Sequence, residues 1–503
     1  MLRHGTMVFV VVLIVAGAES RGQTWTGLGS DNLWSTAGNW TSPPGANPPG
    51  LIFLGATQTS SVNDAVTSVG TISFTNNTAG SGTFLLGGTS PVSVTTSITT
   101  ANGPVGTDEI SFPITLGGTF VSVNVGGNGH FLKLSGVIGG GATNELRKVS
   151  DNGRLILTAD NTFIGQAAFR VGQVQFPKWG NIADASPLGA GNLPVKVGQA
   201  VNTAELIYDG AGESTNRYIQ VGDGASGLGG STITNNGTGP LVFNATSRPS
   251  HPTYGNDFFN QQHTAATVNR NLTFQGSDTG ANEVASVIVD NTATARVGVT
   301  KAGAGTWILS GTNTYTGGTQ VNAGTLVLNG STGVGAFTSQ VASGATLAGT
   351  GTLSGPTTVS GILSPGGSPG AIGTLSFAAS DFIWNSGASA ASTTDWVFDL
   401  AAANQSDRVS VTGPFSKAGA GSGYRFDFGG STEAGTFTLV DWTTTTTFLA
   451  SDFSYTNLGA GNTGSFDIQG TSLVFTAVPE PATLAGFAVA AAAVASLARR
   501  RIR

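Results

Sequence analysis

Residues 305–328 read GTWILSGTNTYTGGTQVNAGTLVL, in which short alternating runs of apolar and polar residues are separated by Gly and Asn turns. This period of two is typical of β-strands. Residues 153–176 read GRLILTADNTFIGQAAFRVGQVQF and align with the first stretch at a constant offset of 152 without a gap. Seven of the 24 aligned positions are identical, and Phe163 matches Tyr315; the identical pairs are Gly153/Gly305, Ile156/Ile308, Leu157/Leu309, Asn161/Asn313, Thr162/Thr314, Gly165/Gly317 and Gly172/Gly324. The sequence therefore repeats a unit of strand, Asn-Thr-aromatic turn, Gly turn, strand, Gly turn and strand.

The leucine spacing after the second copy indicates stacked coils. Leu326 and Leu347 are 21 residues apart, and Leu353 and Leu375 are 22 apart. This is close to the length of one coil of a β-solenoid, in which each coil buries its apolar face only against its neighbours. The alternative is a set of β-sandwich modules whose internal similarity is coincidental.

The rest of the body follows the same pattern. Between residues 24 and 476 no segment keeps a helical spacing of apolar residues for three turns. Glycine accounts for 76 residues and charged residues for only 10%, while hydrophobic residues reach 39%. This composition supplies many turns and enough apolar surface to drive folding, so we expect an all-β protein.

Charge and cysteine content exclude several functional classes. The formal net charge is −6, and no basic stripe occurs before the last five residues. A nucleic-acid partner is therefore not expected, because no surface would neutralise phosphates. The chain has no cysteine, which excludes disulfides, thiolate zinc sites and cysteine nucleophiles.

The first 18 residues have the pattern of a secretory signal peptide. Arg3 and His4 precede an apolar run over residues 8–15, and the small residues Ala16 and Ala18 flank Gly17. We expect signal peptidase to cleave after Ala18. The alternative, an uncleaved anchor, needs about 20 apolar residues, and this run is much shorter.

Residues suited to catalysis are sparse, and we expect no enzyme activity, metal or cofactor. Histidines occur at His4, His130, His251 and His263, and the segment between the last two has only Asp257 as a further metal ligand. The alternative is a polysaccharide lyase or hydrolase that uses carboxylates and arginines from neighbouring coils. The candidates for such a cluster are Asp151, Arg154, Asp160, Arg170, Asp209, Arg217, Asp223 and Asp257. We expect the pair Asp407-Arg408 to be a solvated turn.

Three tryptophans lie close together near the N-terminus. Trp25, Trp34 and Trp40 could cover the apolar end of the solenoid, as a terminal coil requires. They could instead stack on sugar rings. We favour the cap.

Residues 301–330, KAGAGTWILSGTNTYTGGTQVNAGTLVLNG, resemble the autotransporter-associated β-strand repeat, and residues 344–377 resemble its usual continuation. The copy at 148–176 is degenerate, because it lacks the Trp and the second Gly of the Gly-Gly pair. The resemblance implies a right-handed parallel β-helix of the kind found in bacterial surface proteins. We expect six regions: a signal peptide at 1–18, a Trp-rich cap at 19–50, an irregular solenoid at 51–300, the repeat region at 301–377, a C-terminal β module at 378–476 and a terminal signal at 478–503.

The C-terminal residues 478–503 read VPEPATLAGFAVAAAAVASLARRRIR. Residues 482–498 are uncharged and would form a helix about 25 Å long, at the lower limit for a single membrane span. A basic tail would hold its far end in the cytoplasm; it consists of Arg499, Arg500, Arg501 and Arg503. Pro479 and Pro481 would keep the preceding residues extended and accessible. A plain tail anchor is the alternative.

This arrangement resembles the PEP-CTERM sorting signal of Gram-negative bacteria. The resemblance implies that an exosortase, an integral-membrane enzyme, processes the chain near its recognition element, which is Val478, Pro479, Glu480 and Pro481. We therefore expect an exported structural or adhesive protein of the cell surface or extracellular matrix, associated with exopolysaccharide or biofilm. Its membrane contact would be through 482–498, transient or retained. A carbohydrate-binding or carbohydrate-degrading protein is the alternative.

Overall fold

The computed structural model describes residues 22–480 except 76–81, 102–104, 128, 151–152, 200, 223–228, 246–258, 261–268, 291–293, 368–369, 379, 386–394, 403–404, 419–422 and 432. Within these residues the chain forms 45 strands and two short 3-10 helices, which span Ala37–Asn39 and Ala450–Asp452. The all-β prediction is confirmed. The predicted signal peptide, with Ala16 and Ala18, and the predicted helix at 482–498 lie outside the described residues.

The strands up to residue 243 are β1 (Gln23–Trp25), β2 (Gly50–Phe53), β3 (Ser60–Val62), β4 (Ser68–Phe74), β5 (Leu85–Gly87), β6 (Val92–Thr100), β7 (Gly106–Ile110), β8 (Ile114–Leu116), β9 (Phe120–Asn124), β10 (His130–Leu134), β11 (Ile138–Gly139), β12 (Glu145–Ser150), β13 (Arg154–Leu157), β14 (Gln166–Phe169), β15 (Gly172–Phe176), β16 (Val195–Val197), β17 (Ala204–Tyr208), β18 (Glu213–Thr215), β19 (Ile219–Val221), β20 (Ser231–Asn235) and β21 (Leu241–Phe243). The later strands are β22 (Phe259–Asn260), β23 (Arg270–Gly276), β24 (Asn282–Val284), β25 (Val297–Lys301), β26 (Thr306–Leu309), β27 (Thr319–Val321), β28 (Thr325–Leu328), β29 (Ser339–Val341), β30 (Thr346–Gly349), β31 (Thr352–Ser354), β32 (Thr357–Val359), β33 (Ile362–Pro365), β34 (Thr374–Ala378), β35 (Phe382–Asn385), β36 (Trp396–Val397), β37 (Leu400–Ala401), β38 (Gln405–Ser406), β39 (Arg408–Val411), β40 (Phe415–Ala418), β41 (Tyr424–Asp427), β42 (Gly435–Trp442), β43 (Phe453–Thr456), β44 (Asn462–Gln469) and β45 (Ser472–Pro479).

Three long sheets run along the described body. A 15-stranded sheet extends from β3 to β40, a 12-stranded sheet from β1 to β22, and a 7-stranded sheet from β18 to β33. Each strand pairs in parallel with a strand that follows one coil later, as β26 does with β28. This parallel order matches a β-solenoid and not a β-sandwich, whose sheets are antiparallel.

The predicted leucine stacking is correct in one case and wrong in the other. Leu326 pairs with Leu347 in register, so that step of 21 residues is one coil. Leu353 pairs with Phe377, whereas Leu375 pairs with Val409. The true step is two residues longer than predicted. Because side chains alternate faces with a period of two, a shift of two residues still brings an apolar residue to the buried face.

The two copies of the repeat lie on different faces of the solenoid. In the first copy β13 and β15 belong to the 15-stranded sheet and β14 to the 12-stranded sheet. In the second copy β26 and β28 belong to the 7-stranded sheet and β27 to the 15-stranded sheet. Between them, from β17 to β22, each coil contributes a strand to all three sheets. Because these coils have three strands instead of two, the corresponding strands of the second copy lie in a different sheet from those of the first.

A buried asparagine bonds to the preceding coil in both copies. The Asn161 side-chain oxygen accepts a hydrogen bond from the Ile138 backbone N–H at 2.8 Å, and Asn313 accepts one from Ile288 at 2.9 Å. The residue after each asparagine donates its N–H to the carbonyl of the same isoleucine, at 2.9 and 3.0 Å. The Asn-Thr identity in the alignment therefore has a physical cause: the side chain supplies an acceptor where the backbone turns away from the ladder.

A buried lysine closes the next turn in both copies. Lys148 Nζ donates to the Val171 carbonyl at 2.8 Å, and Lys301 Nζ donates to the Ala323 carbonyl at 2.9 Å and to two carbonyls of its own turn. Both acceptors precede a glycine with positive φ, 71° in the first copy and 63° in the second. Burial lowers the pKa of Lys301 to about 8. The lysine thus donates hydrogen bonds to carbonyls that, because of the left-handed turn, have no partner in the ladder of the sheet.

The three N-terminal tryptophans are buried, with exposed fractions of 0, 0 and 5% for Trp25, Trp34 and Trp40. Trp40 meets both of the others edge to face, at ring distances of 5.0 and 5.9 Å. The Trp34 indole N–H donates to the Ser61 hydroxyl at 3.0 Å, and all three indoles pack against Phe53. No ring face of these three is open to a sugar.

The C-terminal module changes from parallel to antiparallel pairing. A six-stranded sheet has the order β31-β34-β39-β42-β45-β44, and its last three strands are antiparallel. A three-stranded sheet of β36, β41 and β43 packs against it through aromatic residues, with Phe426 of β41 and Phe466 of β44 at a ring distance of 5.6 Å. Antiparallel strands need no further coil to continue them, so they can end the stack.

The prediction that Asp407 lies in a solvated turn is wrong, because its exposed fraction is 1%. Its carboxylate accepts hydrogen bonds from the backbone N–H groups of Gly373 at 2.8 Å and Asp399 at 3.0 Å. Burial raises the pKa of Asp407 to about 7, although these hydrogen bonds oppose the shift. Its neighbour Arg408 is exposed and pairs with Asp441. Local sequence does not reveal this burial, because the Gly373 amide that Asp407 binds is 34 residues away in the chain.

We expect N313A to lower the free energy of unfolding by about 1–3 kcal/mol, because it leaves the Ile288 N–H buried without its acceptor. The free energy of opening obtained from hydrogen exchange of the Ile288 amide should fall by the same amount. The control is N322A, at an exposed position of the next turn. Equal protection of Ile288 in the two variants would contradict the role of Asn313.

We expect the contribution of Asp407 to the free energy of unfolding to fall as pH rises from about 4 to about 7. Its pKa is higher in the folded chain than in the unfolded chain, so the folded chain binds more protons in this range. Relative to D407N, the wild type should lose about 1–3 kcal/mol between these pH values. Chemical denaturation at several pH values measures this, with D467N, an exposed position in the same module, as the control. A pH-independent difference between wild type and D407N would contradict the prediction.

Candidate functional site

The predicted recognition element begins inside the last strand of the terminal sheet. Val478 and Pro479 are the final residues of β45, and Glu480 follows directly. Their side chains are exposed, with an exposed fraction of 47% for Val478, whereas Ala477 has only 2%. The change from buried to exposed side chains along β45 therefore occurs between Ala477 and Val478.

The start of the motif is extended and paired on one side. Asn462 of β44 lies opposite Pro479, and Thr463 lies opposite Val478. The Glu480 N–H donates to the Gly461 carbonyl at 2.7 Å. Proline has no N–H, so Pro479 contributes no donor to this ladder.

The strand that carries the motif is anchored by aromatic packing. Phe475 is fully buried, and its ring lies 4.5 Å from Phe428, 4.9 Å from Phe466 and 5.2 Å from Tyr455. On its other side β45 pairs with β42, and the first β42 residue, Gly435, lies opposite Ala477. The body thus holds β45 firmly up to Ala477.

The remaining residues of the predicted sorting signal lie outside the described part of the chain. These are Pro481 and the basic tail of Arg499, Arg500, Arg501 and Arg503. Their roles stay predictions. Among the residues that the structure describes, we find no helix with the length and apolar content that crossing a membrane requires.

A polar groove of about 650 Å³ lies beside the terminal sheet. It is lined by Ile372, Thr374, Gln405, Ser406, Arg408, Thr436 and Thr438. The Arg408 guanidinium pairs with Asp441, which also accepts a hydrogen bond from Ser410 Oγ at 2.7 Å. Ion pairing and hydroxyl bonds already occupy the charged groups, so the groove offers mainly hydroxyl and amide groups to a ligand.

Three of the candidate catalytic residues make polar contacts at the surface. Asp160 pairs with Lys178 at 3.0 Å in an exposed position. Arg154 donates to two glutamines, at 3.0 and 2.9 Å, and Asp209 accepts from Gln175 at 2.6 Å. Gln175 thus bridges Arg154 and Asp209 across three neighbouring strands, whereas Asp160 pairs separately with Lys178 in the loops.

The other two described candidates are arginines with structural contacts. Arg170 pairs with Glu145 at 3.3 Å. Arg217 is 3% exposed and donates to the carbonyls of Trp179, Asp184 and Gly189, which holds the loop before β16 against the solenoid. Burial lowers the pKa of Arg217 to about 10. Asp151, Asp223 and Asp257 lie outside the described residues.

His130 has a role that sequence reasoning missed. Its Nε2 lies 2.8 Å from an Asp108 carboxylate oxygen, inside the solenoid, and the other Asp108 oxygen accepts the Phe84 N–H at 2.8 Å. The two residues are 22 positions apart, so only the register of β7 and β10 brings them together. In the described part of the chain, no three His, Asp or Glu residues are placed to hold a metal ion. His4, His251 and His263 fall outside that part.

Two regions of the chain match known protein families. Residues 299–328, from β25 to β28, match the passenger-associated-transport-repeat. Residues 477–501, from the last buried residue of β45 onward, match the PEP-CTERM protein-sorting motif. None of the curated proteins matches the chain. Both resemblances inferred from the sequence are confirmed: the chain carries a passenger-associated-transport-repeat in its parallel β-stack and a PEP-CTERM protein-sorting motif at the end of its terminal sheet.

Proposed function

We propose that this protein is a non-enzymatic structural or adhesive component of the bacterial cell surface or extracellular matrix, associated with exopolysaccharide or biofilm. An exosortase processes it near Val478, Pro479, Glu480 and Pro481. The observation that carries this proposal is the position of the sorting motif, which begins at the end of the last strand of the folded body. The motif implies export to the cell envelope, and exosortase is the enzyme that recognises it.

The proposed export route uses both ends of the chain. Signal peptidase removes residues 1–18, with Ala16 and Ala18 at the cleavage site. A helix at 482–498 then stops transfer, and the basic tail of Arg499, Arg500, Arg501 and Arg503 remains in the cytoplasm. The helix is transient if the enzyme cuts near the motif, because the body is then released from it.

The architecture supports a structural role. Fifteen strands spaced about 4.8 Å apart make the longest sheet about 70 Å long. Such a stack, here taken as a right-handed solenoid, is a semi-rigid spacer that needs no catalytic group. Arg154 and Asp209 each bond to a glutamine amide and Asp160 pairs with Lys178, which supports the same choice over a polysaccharide lyase or hydrolase.

A second candidate function is the binding of neutral polysaccharide. One row of the 15-stranded sheet, here called the amide–hydroxyl row, crosses eight successive strands in register and consists of Gln173, Glu205, Thr232, Thr273, Thr300, Gln320, Gln340 and Thr358. Thr300 is buried, and the other seven residues are at least partly exposed. Glu205 is the single charged residue of the row. Amides and hydroxyls spaced by one strand can exchange hydrogen bonds with sugar hydroxyls along an extended chain.

We expect replacement of Pro479, Glu480 and Pro481 by alanine to abolish processing, because the recognition element is removed while the apolar run and basic tail remain. Cell fractionation with intact-mass measurement should find the variant uncut in the membrane and the wild type shortened at its C-terminus. Deletion of 479–503 should release soluble periplasmic protein. A variant with the three alanines that is cut like the wild type, or a truncated chain that still reaches the surface, would contradict the proposal.

For the second candidate, we expect Q320A/Q340A to weaken binding to a neutral glucan several-fold, since two adjacent amides of the row are lost. Affinity electrophoresis in gels containing the glucan measures this. The control is T325A/T346A, a stacked pair on the 7-stranded sheet. Equal retardation of both double variants, or none for the wild type, would contradict polysaccharide binding by the row.

A further inference from the structure

We infer that the folded body sequesters the start of its own sorting motif, and that processing requires Val478, Pro479 and Glu480 to unpair from β44. The starting observation is that Val478 and Pro479 are in register with Thr463 and Asn462. The Glu480 N–H also donates a hydrogen bond, at 2.7 Å, to the carbonyl of Gly461, the residue just before β44. The inference rests on the proposed function, because it concerns how the exosortase reaches its substrate.

The pairing occupies one edge of the motif. Enzymes that bind a peptide in extended form usually hydrogen-bond its backbone along an edge and receive its side chains in pockets on alternate sides. β44 takes that edge opposite Val478 and Pro479. An enzyme that encloses the peptide around its reactive bond must displace β44 from these residues.

The folded structure also limits how far the motif can reach. Ala477 is 2% exposed and is paired on both sides, with Gly435 of β42 and Gly464 of β44. Ala482 is five residues beyond Ala477, so the start of the apolar run lies at most about 18 Å from this anchored point. Unpairing of three residues frees about 10 Å of chain to turn toward a membrane-embedded enzyme.

The opening is local because the burial and pairing of the strand change sharply after Ala477. Beyond this residue β45 pairs with β44 alone among the described strands. Pro479 supplies no donor, and the Val478 side chain is half exposed. Few backbone hydrogen bonds are lost, at about 1 kcal/mol each, so the end frays while the aromatic core around Phe475 stays intact.

The absence of cysteine makes this opening testable by cross-linking. Residues 463 and 478 face each other in an antiparallel pair, whose Cα atoms lie about 4.5–5.5 Å apart, within the range for a disulfide. The variant T463C/V478C can therefore lock the start of the motif to β44. The matched control, S465C/T476C, locks the same two strands two residues deeper and leaves the motif free.

We expect oxidised T463C/V478C to be processed at least tenfold more slowly than its reduced form in membranes that contain the exosortase, followed by intact mass. Oxidised and reduced S465C/T476C should both be processed like the wild type. Processing of oxidised T463C/V478C at the rate of its reduced form would overturn the inference, since the enzyme would then read the motif in place. Failure of the wild type itself to be processed would overturn the proposed function, and the inference with it.

Discussion

The fold depends on in-register stacking, because a single coil of two or three short strands cannot bury its apolar face or satisfy its backbone alone. Parallel ladders satisfy the backbone hydrogen-bonding groups of the strands, but the backbone groups at the corners of each coil still need partners. Asn161 and Asn313 supply acceptors to the isoleucine N–H of the coil before, and Lys148 and Lys301 supply donors to carbonyls at the next turn. These buried polar groups keep successive coils in one register, since a slip would leave each of them without a partner.

Stacking also leaves the first and the last coil without a neighbour on one side, so each end of the stack must be covered. At the N-terminal end, three buried tryptophans and Phe53 cover the first coils with edge-to-face aromatic contacts. At the C-terminal end, the pairing changes to antiparallel in β42, β45 and β44. This change of pairing ends the stack, and it makes β45, which carries the start of the sorting motif, part of a sheet that is anchored up to Ala477. The sorting motif follows from that point, so the closure of the solenoid determines how the motif is presented.

The sequence alone predicts the strands, the repeat and the sorting motif well, because each depends on local pattern or on short motifs. It does not predict features that depend on the path of a whole coil. Leu353 was expected to stack on Leu375 but pairs with Phe377, since loop length does not fix register to within two residues. Asp407 is predicted to lie in a solvated turn but is buried against the backbone of Gly373 and Asp399. The buried contact between His130 and Asp108 is not predicted at all, because the two residues are 22 positions apart. At the site, the pattern predicted an extended motif, while its pairing with β44 required the structure.

The intact mass of the wild-type protein recovered from the cell envelope is the observation that bears on the whole proposal. We expect a chain that lacks the first 18 residues and ends near Pro481, with the apolar run and the arginines removed. A mature protein that retains Arg503, or that is confined to the cytoplasm, would contradict an exported solenoid sorted through its terminal strand.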